Sequence, residues 1–206
     1  LPEVSKKYLK NYKIIACPGC YPTSILLPLL PLLKNNLISE KNIIIDSKSG
    51  FSGAGRGVHK KYLNKNLYSS LSPYGIGFHR HNSEIEQEFN KVCKKKIEFN
   101  FTPHLTPMFK GLLSTIYLNI PKKTNAKKIY NNLKKFYKNM QFIKFAKFNL
   151  PISTNDVINS NNCLISVCKS KYKGKIIILS AIDNLIKGGS GQGVQNMNII
   201  YNFPES

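Results

Sequence analysis

Two cysteines separated by a Pro-Gly pair are the first residues that could do chemistry. Residues 17–24 read CPGCYPTS, with Cys17 and Cys20 at either end of the turn. Cys20 lies just ahead of a helix-like segment, where backbone N–H groups and the helix dipole favour a thiolate. This position is typical of a nucleophile, although free cysteines are also among the residues most often buried for structural reasons.

The same pair fits two other kinds of site. A Cys-x-x-Cys dithiol would belong to a thioredoxin-like redox fold, but nothing else in the chain indicates that fold. Half of a zinc site would need a second Cys or His pair at short spacing, and Cys163 and Cys168 lie in a strand pattern instead. We therefore expect no metal site.

The histidines help to decide between these roles for Cys20. The chain has only four, and two of them, His79 and His81, flank Arg80. In an extended segment both rings point to one side, so either could serve Cys20 as acid or base. A lone His-Arg-His is more often a polar surface loop. Together with a cysteine at a helix start, however, it indicates nucleophilic catalysis.

A glycine-rich loop, SGFSGAGRG at 49–57, follows a strand pattern. Its exposed N–H groups would suit a phosphate or a dinucleotide, although such a loop is most often only a tight turn. It is not a Rossmann fingerprint, which would open a helix near the start of a β-α-β unit. His104, in the segment FTPH, is most simply a histidine held in a proline-set turn.

The elements that must position these residues follow from hydrophobic periodicity. Helices are predicted from Pro22, shortened or kinked by Pro28 and Pro31, at 84–95 with Asn82 or Ser83 as the cap, at 126–140, and after Ser190. Strands are predicted at 42–46, 97–102, 112–120, 141–148, 163–168 and 175–182. Long strands with few long helices predict an α+β fold, with one antiparallel or mixed sheet covered by helices.

Composition bounds the class of protein. The chain has 206 residues and a formal net charge of +21, which would suit nucleic acid. Yet only Arg56 and Arg80 among the 31 basic residues are arginine. Lys, Asn and Ile share A/T-rich codons, so we interpret most lysines as solvated faces and expect no nucleic-acid partner. No apolar run approaches the roughly 20 residues of a membrane span, and no export signal is visible, so we expect a cytoplasmic protein with reduced thiols.

Six motifs occur in one order along the chain. They are LPE at 1–3, PGCYPT at 18–23, SGFSGAGR at 49–56, HRH at 79–81 with EIEQ at 84–87, FTPHL at 101–105, and IDNLIKG at 182–188 leading to SGQ at 190–192 and VQNMN at 194–198. This order resembles the N-acetyl-gamma-glutamyl-phosphate reductases of arginine biosynthesis over nearly the whole chain.

The resemblance implies an NADPH-dependent reduction of N-acetyl-glutamyl phosphate to the semialdehyde, through a thioester on Cys20. It implies an acid–base role for His79. The residues implied for the anionic substrate are Arg80, His81 and Arg56. Those implied for the nicotinamide side of NADP are Ser49, Gly50, Gly53 and Asn184.

Two departures from the family pattern stand out. Cys17 replaces the usual Asn, which is expected to slow the reaction and to allow an oxidised Cys17–Cys20 pair. The resemblance also implies that an N-terminal Rossmann domain is missing from these residues and is supplied in cis or in trans. Residues 1–206 would then be the catalytic and dimerisation domain of a dimer or tetramer, with a helix in 188–206 packing on the missing domain. A non-catalytic remnant or basic binding module is the alternative.

Overall fold

A computed structural model describes residues 1–54, 69–93 and 96–205. Helices in these ranges are α1 (Pro2–Ser5), α2 (Cys20–Lys34), α3 (His81–Val92), α4 (Ala126–Phe136) and α5 (Gly191–Ile200). Strands are β1 (Ile43–Gly50), β2 (Ser72–Pro73), β3 (Phe99–Thr106), β4 (Leu112–Asn119), β5 (Ile143–Phe145), β6 (Cys163–Lys169) and β7 (Lys175–Ile182). Short 3-10 turns cover Lys6–Asn11, Phe51–Ala54 and Thr154–Asp156, and a π-helical turn covers Ile186–Ser190.

The described strands form one mixed sheet in the order β2-β3-β1-β4-β7-β6-β5. The β1–β3 and β5–β6 pairs are parallel and the remaining pairs are antiparallel. Helix α2 packs on β4 and β7, α3 packs beside α2, and α4 packs on β6. The predicted α+β fold with a mixed sheet is therefore confirmed. The parallel β1-α3-β3 crossover, which sequence reasoning did not foresee, brings the end of the His-Arg-His motif beside α2.

Helix α2 lies in the centre of the core, with every side chain from Tyr21 to Leu33 buried. Of the two expected effects of Pro28 and Pro31, a kink or a short helix, the second does not occur, because the helix runs for 15 residues. Pro31 has no N–H for the carbonyl of Leu27, four residues earlier. The hydroxyl of Tyr137 donates to that carbonyl at 2.6 Å, so a side chain from outside the helix replaces the missing bond.

Several predicted boundaries move. Helix α3 begins at His81 rather than Glu84, with Arg80 at its N-cap and without a side-chain capping bond from that residue. His81 therefore lies in the first helical turn, not in an extended segment. Helix α4 ends at Phe136 and β5 covers only Ile143–Phe145. Between residues 1 and 205, no helix of the described ranges is both long and apolar enough to cross a bilayer.

Candidate active site

Cys20 is the first residue of α2, and Gly19 is its N-cap. A buried chain of hydroxyls holds this end of the helix on the sheet. Ser24 of α2 lies 2.7 Å from Ser114 of β4, which lies 2.7 Å from Ser47 of β1. Because serine is small and each hydroxyl has a partner, the helix approaches the strands closely without burying unsatisfied polar atoms.

The Cys20 thiol is protonated at neutral pH. Burial raises its pKa to about 11, although backbone N–H groups at the helix start and the Arg80 guanidinium act in the opposite direction. The helix position predicted from sequence is present, but loss of solvation outweighs it. A nucleophilic role for Cys20 would therefore need a neighbouring base to take the thiol proton.

His81 packs directly on the turn that precedes Cys20. A Cβ atom on residue 19 would lie 2.3 Å from His81 Nε2, so only glycine fits there. The Gly19 N–H donates to Glu84 Oε2 at 2.9 Å, and Glu84 Oε1 lies 3.7 Å from His81 Nε2. Glu84 thus holds the turn by a hydrogen bond, and its second carboxylate oxygen lies near the imidazole without bonding to it.

His79 lies behind His81, with ring centroids 4.7 Å apart. Its Nδ1 accepts from the His81 backbone N–H at 3.2 Å, so the neutral ring carries its proton on Nε2. Burial, then the charge of Arg80, lowers the pKa of His79. Burial, then His79 and Arg80, lowers the pKa of His81 to about 4. Both imidazoles are therefore neutral at pH 7 and able to accept a proton.

The residues expected on the nicotinamide side also converge. Asn184 Oδ1 accepts from the Gly111 N–H at 2.7 Å, and its Nδ2 donates to Ser52 Oγ at 3.1 Å. A Cβ on Gly53 would lie 3.0 Å from Ser49 Oγ and 3.2 Å from Asn184 Nδ2. The absence of a side chain at Gly53 thus leaves open the space in front of these two polar groups.

Gly50 serves a different need from Gly53. A Cβ at Gly50 would lie 2.6 Å from the Phe109 carbonyl, so this glycine permits backbone packing. Gly188, in the π-helical turn after Asn184, joins this region to the cysteine, since its Cβ would lie 2.5 Å from Cys20 Cβ.

Of the two arginines expected to bind the anionic substrate, the structure describes only Arg80. Arg80 is exposed, and its charge acts on Cys20, His79 and His81. Arg56 lies outside the described residues, as does the loop from Gly55 onward.

Three residues were missed or given a smaller role by sequence reasoning. Tyr21 packs its ring between His79, His81 and Phe101. Glu84 appeared only as the start of a predicted helix and in the motif EIEQ, and Gly188 only as part of a motif. The adjacency of Tyr21 to Cys20 and the spacing of Glu84 from His81 were the available signals.

Cys17 and Cys163 have surroundings that differ from those of Cys20. Cys17 is exposed, and its sulfur accepts from Asn196 Nδ2 at 3.3 Å. Cys163 is buried in β6, where loss of solvation raises its pKa to about 12.

Comparison with known proteins decides the family. The family model described as "Semialdehyde dehydrogenase, dimerisation domain" matches residues 20–184. The chain belongs to this family. Solved members of the fold include the aspartate semialdehyde dehydrogenase of Francisella tularensis, with a TM-score of 0.77 and 14% identity over 98% of this chain and 70% of that chain. Aspartate semialdehyde dehydrogenase II of Vibrio cholerae gives a TM-score of 0.72 and 19% identity, covering 98% and 67%.

Closer relatives of this semialdehyde dehydrogenase domain carry a more specific name. The probable chloroplastic N-acetyl-gamma-glutamyl-phosphate reductase of Arabidopsis thaliana is 44% identical over the whole chain, which spans 51% of that relative. The N-acetyl-gamma-glutamyl-phosphate reductase of Clostridium botulinum is 46% identical, and the chain spans 60% of it. The domain thus spans about half to three fifths of the length of the curated relatives it matches.

Proposed function

We propose that this domain catalyses the NADPH-dependent reduction of N-acetyl-glutamyl phosphate to N-acetylglutamate semialdehyde, with release of phosphate. The names of the relatives support the substrate. The observation that carries the proposal is the position of Cys20 at a helix start, where His81 packs on the preceding residue, Gly19, and His79 lies behind His81. This is an arrangement for nucleophilic catalysis in which a base activates the thiol.

In the first step the Cys20 sulfur attacks the carbonyl carbon of the acyl phosphate. A carbon–sulfur bond forms, the carbon–oxygen bond to phosphate breaks, and phosphate leaves with its electron pair. The thiol proton passes to an imidazole. His79 has the acid–base role implied by the resemblance, and His81 is a second candidate because it packs against Gly19.

In the second step the thioester is reduced. NADPH, when bound, supplies the hydride to the thioester carbon. His79, positively charged once it has gained the thiol proton, can return that proton to the developing oxyanion and become neutral again. The resulting thiohemiacetal on Cys20 then collapses to the aldehyde and the free thiol.

The described residues fit the nicotinamide side of such a cofactor. The space above Gly53 is bordered by the hydroxyl of Ser49 and the amide of Asn184, a pairing suited to a carboxamide. Exposed Val194 and Met197 leave an apolar face on α5. That face agrees with the prediction that 188–206 packs on an N-terminal cofactor domain.

Substrate anions are assigned to Arg80, Arg56 and His81. An exposed guanidinium beside the thiol offers charge-assisted bonds to phosphate or carboxylate. Its charge also stabilises the cysteine thiolate as the acyl phosphate is attacked.

The acylation step can be tested without cofactor. The chain is mixed with N-acetyl-glutamyl phosphate, quenched in acid and digested, and the peptide containing Cys20 is weighed by mass spectrometry. An N-acetylglutamyl adduct that hydroxylamine removes supports the proposal. No adduct on Cys20, with phosphate released no faster than in buffer, would contradict it.

The pH dependence of acylation identifies the base. A neutral imidazole is the active form, so the wild-type rate should be flat where both imidazoles are neutral and fall in acid as they take up protons. Without the base, the rate should follow the thiolate fraction, which rises about tenfold per pH unit below the thiol pKa. We compare His79→Asn with His81→Asn from pH 6 to 9. The variant that acquires this slope has lost the base, and a tenfold slope in the wild type would exclude imidazole assistance.

We further propose that the domain self-associates through the outer face of its sheet. This face carries an apolar cross-strand row, in which Ile44 pairs with Tyr117 and Tyr117 with Ile177. Ile44 and Tyr117 are 48% and 42% exposed. The description of the family model as a dimerisation domain supports a second copy of the chain as the occupant.

A charge placed in that row should separate the copies. Tyr117→Glu would bury an unpaired carboxylate on association. We therefore expect light scattering to give the mass of a single chain for this variant and a larger mass for the wild type. Tyr12→Glu is the control, because Tyr12 is also exposed but lies outside the sheet. A Tyr117→Glu protein with the wild-type mass would refute this surface.

A further inference from the structure

A basic cleft lies at the end of the sheet away from Cys20. It has a volume of about 810 Å³ and lies between the segment 120–127, which leads into α4, and the segment 169–175, which joins β6 to β7. Strand β4 starts beside Gly111 and Asn184 and ends next to this cleft. Eight strand residues at about 3.3 Å each put it roughly 25 Å from the candidate active site. Its volume lies within the range of small-molecule sites.

The lining is positively charged and uncompensated. It includes five lysines: Lys122, Lys127, Lys169, Lys173 and Lys175. No Asp or Glu occurs among the described residues that line it. The ammonium groups of Lys127 and Lys169 lie 4.8 and 5.8 Å from the centroid of the same ring, Phe148. Like charges gathered around one ring repel each other, and an anion between them would relieve the repulsion.

The backbone at the start of α4 adds to the positive potential that the lysines create in the cleft. The first turn of α4, which has 11 residues, borders the cleft. Asn125, its N-cap, accepts from the Lys128 N–H, and the earlier N–H groups of a helix have no partner within it. The start of a helix also favours negative charge.

A buried hydroxyl provides an independent indication of a ligand. Thr124 lines the cleft and is only 8% exposed. Its Oγ1 has no hydrogen-bond partner among the described residues. Buried hydroxyls in folded proteins almost always have one, so a Thr124 hydroxyl that turns toward the cleft would gain its missing bond from a ligand oxygen.

We propose that this cleft binds a small molecule carrying a chain of two or three phosphate groups. Five lysines match several negative charges rather than one. A polyphosphate chain is carried by nucleotides and also occurs free, so the two sources must be separated. Tyr172, which lines the cleft and is 65% exposed, offers a ring on which the base of a nucleotide can stack.

Binding is tested by calorimetric titration of the full chain with ATP and with inorganic tripolyphosphate, at an ionic strength of about 0.15 M to screen long-range attraction. The variant Lys127→Gln/Lys169→Gln removes the two charges that share Phe148. The matched control, Lys123→Gln/Lys171→Gln, removes two exposed lysines from the same two segments that do not line the cleft. Thr124→Val removes the hydroxyl and keeps the shape.

We expect the cleft variant to raise the Kd at least tenfold, Thr124→Val to raise it severalfold, and the control to change it less than threefold. Tyr172→Ala should weaken ATP alone if the ligand is a nucleotide, and neither probe if it is a free polyphosphate. Equal losses in the cleft and control pairs would show a general effect of charge and overturn the proposal. So would the absence of saturable binding below millimolar concentration. A single-stranded RNA decamer that binds more tightly than ATP and depends on the same two lysines would also overturn it, because the cleft would then serve a nucleic acid.

Discussion

Replacing Cys20 with serine is expected to lower the rate of acylation by N-acetyl-glutamyl phosphate at least a thousandfold. A serine hydroxyl is far less acidic than a thiol, and the neutral imidazoles of His79 and His81 are weak bases. Burial already raises the pKa of the thiol to about 11, so the site has little capacity to ionise a still weaker acid. Removal of a nucleophile that acts together with a base typically costs most of the catalytic effect.

The matched control is Cys17→Ser in the same turn. Cys17 is exposed and contacts Asn196, so its replacement should change the acylation rate less than threefold. Both rates are measured as the initial release of phosphate, with the adduct located by mass spectrometry. If Cys20→Ser retained acylation and Cys17→Ser lost it, the assignment of the nucleophile would be wrong.

The second large effect is expected from Lys187→Met, which should lower the free energy of unfolding by about 3–5 kcal/mol. Lys187 and Glu3 form an ion pair with side chains 0% and 1% exposed. Lys187 Nζ also donates to Gln195 Oε1 at 2.8 Å and lies 5.5 Å from the Phe142 ring centroid. Removing the cation leaves the Glu3 carboxylate buried without its partner, which is the most costly state of such a pair.

A double variant separates this effect from lost packing. Glu3→Gln/Lys187→Met removes both charges, so it should be more stable than Lys187→Met alone in urea unfolding. The exposed pair Lys91–Glu88 is the matched control, and Lys91→Met there should cost at most about 1 kcal/mol. Equal stability of the single and double variants would show that the charge of Glu3 is not the cause.

The same variant reports on the active site. Lys187 precedes Gly188, which packs against Cys20, so a loosened turn should expose the thiol. Cys20 in Lys187→Met is expected to react faster with iodoacetamide than in the wild type. The single lysine thus stabilises the joint between the first and last segments of the chain and the wall of the candidate site.

Local patterns in the sequence determined most of the secondary structure. Strand β7 covers residues 175–182 as predicted, and β4 differs from its prediction by one residue. Such strands are recognised because alternation along a short segment is a local property. The position of Cys20 at a helix start was also predicted from a local feature, the Pro-Gly turn that precedes it. The order of the motifs indicated the family that the comparisons then showed.

Only the tertiary structure decided how those pieces meet. The protonation of Cys20 depends on burial by distant residues, and no local pattern reports it. Glu3 and Lys187 are 184 positions apart, and the pairing of β1 with β3 depends on how the intervening helix crosses the sheet. His79 and His81 meet because the chain turns into α3, not because it is extended. Solvation and contact are properties of the packed chain, so a one-dimensional pattern can name the reactive groups but cannot set their charges or their partners.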